Sequence, residues 1–245
     1  MFIVAFASAW WLARRRAAQP GSTWKASDVD DLIFFGAVGV ILGGRIGWTL
    51  LYGLEYEASD PWRALRIWQG GMSFHGGLVG SILAFMLFAR RRGRRIADVF
   101  DFTVALPGVG IFSVRVANFI NGELWGKPTS LPWGIVYDGV ARHPSQLYEA
   151  ALEGIVLGVI MWVFTARPRP RLVPSGLFLL GYGVIRFALE FVRVPDSNRG
   201  YLLLGWVTEG QLLSIPMVVA GAILLWMGYR RREPTGNVVG TPVLS

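Results

Sequence analysis

Long apolar runs recur along this chain, and that repetition limits the fold more than any other feature. Seven are read, at residues 1–13, 31–53, 73–89, 98–120, 145–166, 174–193 and 209–229. A helix of about twenty residues crosses a hydrocarbon core about 30 Å thick. Inside a bilayer every backbone N–H and C=O must be bonded internally, which leaves helices or a closed barrel. The runs are continuous rather than alternating, so helices are expected. The charged fraction is 16%, against about 25% in soluble domains. The chain is therefore read as an all-α integral membrane protein with seven transmembrane helices in a single domain, 1–245.

Arginine supplies most of the positive charge and sorts between the connections. Residues 14–25, 90–95, 167–171 and the segment from Arg230 to Arg232 are strongly basic, while the alternate connections hold only Arg63, Arg66, Lys127, Arg142, Arg193 and Arg199. Cytoplasmic loops carry the excess of Lys and Arg, so the N-terminus is expected outside and the C-terminus in the cytoplasm. A net charge of +8 would suggest nucleic acid in a soluble protein. Here the charges cluster at helix ends, topology accounts for them, and no nucleic-acid partner is expected. The sequence has no Cys and two well-separated His, so no disulfide, thiolate site, metal or cofactor is expected. The first run gives only about 20 Å of helix. Its basic cluster follows the apolar stretch, the reverse of a signal peptide; the expectation is a chain that starts inside its first helix, or a helix that begins late. Residues 121–144, with Pro128, Pro132, Pro144, Trp125 and Trp133, read as a small external cap between spans four and five.

Ionisable groups within such spans are costly, and are usually paired, cavity-facing and functional. Arg115 and Asn118 share a helix face at i,i+3, with Asn121, Glu123 and Gly126 following where that helix should end. Tyr182, Arg186 and Glu190 form a stripe at i,i+4,i+8. A guanidinium binds phosphate through two parallel hydrogen bonds, so Arg115 and Arg186 are candidates for an anion or headgroup clamp; the plainer alternative is a polar network that ties helices together. His75 sits in Gly70-Gly-Met-Ser-Phe-His-Gly-Gly77, and an imidazole is suited to taking a proton near neutral pH. Around Gly43-Gly44-Arg45, small residues suggest close helix packing, while Arg45 needs a partner and a headgroup phosphate is one candidate. In Arg142-His-Pro-Ser-Gln-Leu-Tyr-Glu149, Ser145 is read as a helix cap and Glu149 as part of capping and packing.

With these motifs in view, the chain resembles the prolipoprotein diacylglyceryl transferases over nearly its whole length. The resemblance rests on Gly43-Gly-Arg-Ile-Gly47, Gly71 to Gly77, Arg115 to Gly126, Arg142 to Glu149, Tyr182-Gly-Val-Ile-Arg186 and Glu190 to Asp196. Val114 and Ala117 stand where the family signature usually has glycine. The resemblance implies transfer of a diacylglyceryl group from phosphatidylglycerol to the lipobox cysteine of a prolipoprotein, with release of glycerol phosphate, in a bacterial inner membrane and near its outer leaflet. It implies catalytic roles for His75, Arg115 and Arg186. Phosphatidylglycerol binding falls to Arg115, Asn118, Glu123, Gly126, Tyr182 and Arg186, and the spacing above adds Glu190 and Arg45. Glu123 and Glu190 are expected to orient the arginines. The rival classes are an anion or lipid transporter, which would often carry an internal repeat that is not evident here, and a membrane scaffold, which leaves the buried arginines without a purpose.

Overall fold

In the computed structural model the described residues are 2–53, 62, 66, 70–194 and 207–237. They form α1 (Phe2–Ala17), α2 (Ala26–Trp48), α3 (Phe74–Arg91), α4 (Ile96–Thr103), α5 (Gly108–Ile120), β1 (Ile135–Tyr137), β2 (Val140–Arg142), α6 (Ser145–Phe164), α7 (Val173–Leu189) and α8 (Glu209–Arg231). Arg63, Arg199, Pro195 and Asp196 lie outside the described residues. Helices α2, α6 and α8 are long and apolar enough to cross a membrane. A fourth candidate is the α4–α5 pair, which is bent by 52°. The chain is thus mostly helical, with three or four candidate spans among the described residues.

The fourth apolar run was expected as one helix over 98–120 and is instead broken. Pro107 occupies the N-cap of α5; it lacks an N–H and cannot continue the hydrogen-bond ladder of α4. Helix α6 is π-helical over Ala150–Val156. There Gly154 lies against the α5 backbone, and a Cβ on it would come within 2.8 Å of the Phe112 nitrogen. Two helices carry good N-terminal caps. Ser73 accepts from the Gly76 N–H at the start of α3. Thr208 and Gln211 form a reciprocal capping box at the start of α8.

Glycines join α2 to α3. A Cβ on Gly39 would lie 2.6 Å from the Gly80 carbonyl oxygen, and one on Gly47 would lie 2.7 Å from the Gly76 Cα. Close approach through small residues is how helices associate where lipid offers no hydrophobic gain. The glycines after His75 therefore serve this seam. Large apolar side chains such as Phe34, Leu50, Val163 and Trp226 are exposed. In a soluble domain such a surface would be an aggregation hazard; on a membrane protein it faces acyl chains. The packed core sits among Trp24, Leu32, Phe88, Val99 and Phe102.

The connection between α5 and α6 contains the β1–β2 hairpin, closed at Asp138-Gly139 with both φ angles positive, 51° and 75°, the backbone a two-residue primed turn requires. It is anchored to the segment just after α7. Gly126 forms an isolated bridge with Arg193, and the Lys127 N–H donates 2.8 Å to the Val192 carbonyl.

Candidate functional site

Three helices bring ionisable side chains to one place in the bundle. Glu149, on α6, is fully buried. Its carboxylate forms an ion pair with Arg115 of α5, whose Nε lies 2.8 Å from Oε2, and accepts from the Arg186 Nη1 of α7 at 2.7 Å. Arg193, just past α7, donates to the same carboxylate. Glu153, one turn further along α6, lies 4.0 Å from Arg115 and 3.9 Å from Arg186. Neither Glu153 oxygen accepts a hydrogen bond. Glu190 completes the group, 2.5 Å from Arg186 and 3.3 Å from Arg193. Thr208 donates to its other oxygen at 2.9 Å, so the α8 cap is tied to the cluster. Three guanidiniums thus face three carboxylates, which compensates charge that would otherwise be prohibitive in a low-dielectric interior.

The arginines are not saturated. Arg115 makes no hydrogen bond with its Nη1 or Nη2 to any described residue. Arg186 uses two of its donors on carboxylates, out of about five N–H groups on a guanidinium. The Arg115 and Arg186 side chains retain 20% and 17% exposure, so a ligand can reach them. Tyr182 lies one turn before Arg186 and stacks on Phe178, within the apolar cluster that includes Leu157 and Met161.

Other candidates fall elsewhere. The Asn118 Nδ2 donates 2.9 Å to Glu123, and its buried Oδ1 has no partner. Glu123 is therefore engaged by an amide rather than an arginine, whereas Glu190, expected in the same role, meets Arg186 and Arg193. The Gln146 side chain donates to the Glu123 carbonyl and the Ser145 hydroxyl donates 2.8 Å to the Leu124 carbonyl. The cap expected of Ser145 is absent, with Pro144 at that position. Its hydroxyl instead ties α6 to the loop after α5. Gly126 has no room for a side chain, since a Cβ would meet the Val192 carbonyl at 2.6 Å. The buried Arg45 donates to the Gly70 and Gly71 carbonyls, both at 3.0 Å, and lies over Trp48. It thereby holds the loop that leads into His75. His75 itself is exposed at one end of an apolar groove of about 790 Å³ between α2 and α3. The structure does not bring it against the arginine cluster.

Comparison with known proteins decides the family. The model of the family described as prolipoprotein diacylglyceryl transferase matches residues 1–227. The chain belongs to the prolipoprotein diacylglyceryl transferase family. It is 53% identical over 236 residues to the phosphatidylglycerol--prolipoprotein diacylglyceryl transferase of Oleidesulfovibrio alaskensis, covering 95% of this chain and 88% of the relative. It is 54% identical over 231 residues to the protein of the same name from Nitratidesulfovibrio vulgaris, covering 93% and 88%. The Coxiella burnetii protein of that name is 49% identical over 236 residues, covering 95% and 90%.

Within this transferase family the resemblance pointed to Arg115 and Arg186, and the structure joins them. It also adds Glu149, Glu153 and Arg193, which the sequence reading did not assign to a site. A signal was present: two carboxylates at i,i+4 in an apolar span repel each other and are expensive in lipid, so cations must meet them. Assigning Glu149 to packing hid that signal. Among the described residues, no three His, Asp or Glu side chains gather in a geometry that holds a metal ion.

Proposed function

We propose that this chain moves the diacylglyceryl group of phosphatidylglycerol onto the lipobox cysteine thiol of a prolipoprotein, leaving a thioether and glycerol phosphate. The observation that carries the reading is the meeting of Arg115 and Arg186, from different helices, on the buried Glu149 carboxylate, in a chain of the transferase family.

The chemistry follows from which charges form and vanish. A thiol with a pKa of about 8.5 is only a few per cent thiolate near pH 7. His75 accepts the thiol proton. The sulfur then attacks the glycerol carbon that carries the phosphate ester, the C–O bond breaks, and its electron pair ends on the phosphate oxygen. Donors aimed at that oxygen contribute most to the rate. Arg115 offers its two Nη groups there and Arg186 its remaining N–H groups. Asn118 and Tyr182 add neutral donors, while Glu190 and Glu149 hold the arginines in place. Glu123 fixes Asn118, Gly126 keeps the cap close to α7, and Arg45 positions the His75 loop. The groove lined by Phe34, Leu42, Ile46, Leu50, Val79 and Leu83 suits acyl chains.

The accompanying topology has seven crossings in one domain, N-terminus outside, C-terminus cytoplasmic, in a bacterial plasma membrane. Residues 121–144 are its external cap and the site lies near the outer leaflet. In support, the arginine-rich connections fall at the helix ends opposite Arg115 and Arg186.

The test is to incubate purified protein with phosphatidylglycerol and a lipobox peptide and weigh the peptide. A diacylglyceryl adduct, absent with a Cys→Ser peptide and lost in Arg115→Ala and Arg186→Ala, is the expected result. Near-normal turnover in either variant removes the clamp; no adduct with the unaltered protein removes the reaction.

A further inference from the structure

The end of the bundle remote from Arg115 and Arg186 holds a second basic site. A cavity of about 100 Å³ opens there between the end of α1, the α6–α7 connection and the segment after α8. It has room for a few water-sized groups. Its principal charged wall is Arg16. The Arg16 guanidinium lies 5.9 Å from the Phe102 ring and 5.8 Å from the Trp162 ring. Its Nη2 donates 2.6 Å to the Thr165 carbonyl. Its Nη1 is buried and has no hydrogen-bond partner, and Arg16 makes no ion pair to a described residue.

Its neighbours differ. Arg14 pairs with Asp30, Arg94 with Asp28, and Arg171 with Asp98 and Glu233. The carboxylate nearest in the cavity wall, Asp101, is committed elsewhere. It accepts from the Leu172 N–H at 2.8 Å, the Ser175 N–H at 3.0 Å and the Ser175 hydroxyl at 2.5 Å, at the start of α7. Arg167 and Arg169 line the same cavity, and neither has a carboxylate partner among the described residues. Two hydroxyls also face it. Ser22 accepts from the Trp24 N–H and Thr235 from the Asn237 N–H, both at 3.2 Å. Each retains its own proton to give.

A buried guanidinium donor left without an acceptor costs free energy, and this cavity gathers donors around it with the local acid already satisfied. We propose that this cavity binds a phosphate-type oxyanion, with Arg16 as its principal donor and Arg167, Arg169, Ser22 and Thr235 around it. Guanidinium pairs with such oxygens through short, charge-assisted bonds. The volume admits one phosphate moiety and excludes a nucleotide or an acyl chain. The phosphate is either free or the headgroup of an anionic lipid whose chains remain in the adjoining leaflet. Along α6, Thr165 is sixteen residues from Glu149, or about 24 Å, so this site is distinct from the transfer site. Occupancy joins α1, the α6–α7 connection and the 235–237 segment, so it stabilises the fold.

Thermal unfolding of the detergent-purified protein tests this, with variants at Arg16, Ser22 and Thr235 separating this cavity from the arginine pair at the other end of the bundle. Inorganic phosphate and short-chain phosphatidic acid are titrated separately at constant ionic strength, with chloride and a phosphocholine lipid as controls. A rise in Tm with both phosphate and phosphatidic acid supports the site and shows that the phosphate group suffices. A rise with phosphatidic acid alone supports it as a lipid headgroup site, and a rise with phosphate alone as a site for the free ion. Arg16→Met is expected to weaken the response about tenfold or more, with Arg16→Lys retaining part of it. Should Arg16→Met not fold, Ser22→Ala/Thr235→Val is read in its place and is expected to weaken the response too. No rise with either ligand, or an undiminished rise in the Arg16 or Ser22/Thr235 variants, overturns the proposal.

Discussion

Between α2 and α3 the backbones touch through Gly39, Gly43, Gly47, Gly76 and Gly80, with the Ala84 methyl as close as the backbone at Gly39. Between α5, α6 and α7 the close approach of Gly154 to α5 is joined by ion pairs among Arg115, Glu149, Glu153 and Arg186, whose carboxylates are buried and whose guanidiniums stay partly open. The glycine seam uses dispersion and shape, so its geometry tolerates almost no added volume. The charged seam uses pairings that fail when one member is removed, because the survivor is left buried and uncompensated. One seam displays His75 on an open apolar groove; the other holds guanidinium donors aimed at a partly open interior. The proton acceptor and the anion clamp proposed for the reaction thus stand in two differently built halves, which the structure does not bring together.

That comparison breaks most visibly through His75. Replacing His75 with Gln is expected to lower peptide lipidation about 10²–10⁴-fold and to leave thermal stability unchanged, since the side chain is exposed. Retention of most activity across pH 6–8 would remove His75 as the base. Glu149→Ala acts on the other half. It is expected to destabilise the protein by about 3–5 kcal/mol, measured by unfolding in detergent. Glu149→Ala with unaltered stability would mean that the three arginines re-pair without it. Third is Gly80→Val in the glycine seam, expected to cost about 1–3 kcal/mol through overpacking. A matching fall in lipidation would show that the seam positions His75, whereas preserved lipidation would separate packing from chemistry. The smallest effect belongs to Thr208→Val, which removes the α8 cap and a hydrogen bond to Glu190. It is expected to cost about 0.5–2 kcal/mol, with a modest loss of lipidation if Glu190 shifts.

Much of this architecture was legible in the sequence. The apolar runs marked the helices to within a few residues at most ends, because each helix must present an apolar surface to lipid whatever it packs against. The break between α4 and α5 was missed although Pro107 stood in plain view, since overall hydropathy is indifferent to one missing N–H. Arg115 and Arg186 were singled out because a cation in an apolar run is costly wherever it ends up. The irregular character of residues 121–144 was legible from their prolines, but the hairpin there rests on a two-residue turn at Asp138-Gly139 that was not singled out.

What the sequence by itself determined was the membrane character, the helical class and the family, because local composition and contiguous motifs carry those directly. Only the tertiary structure decided the partners. Glu149 lies 34 residues from Arg115 and 37 from Arg186, and no local periodicity states that one carboxylate will meet both. Nor does spacing reveal that Glu123 binds Asn118, that Arg45 holds glycine carbonyls, or that Arg16 faces a cavity whose carboxylate, Asp101, is bonded to the start of α7. Ion pairing depends on which helices become neighbours and at what depth, and those are set by packing of the whole bundle.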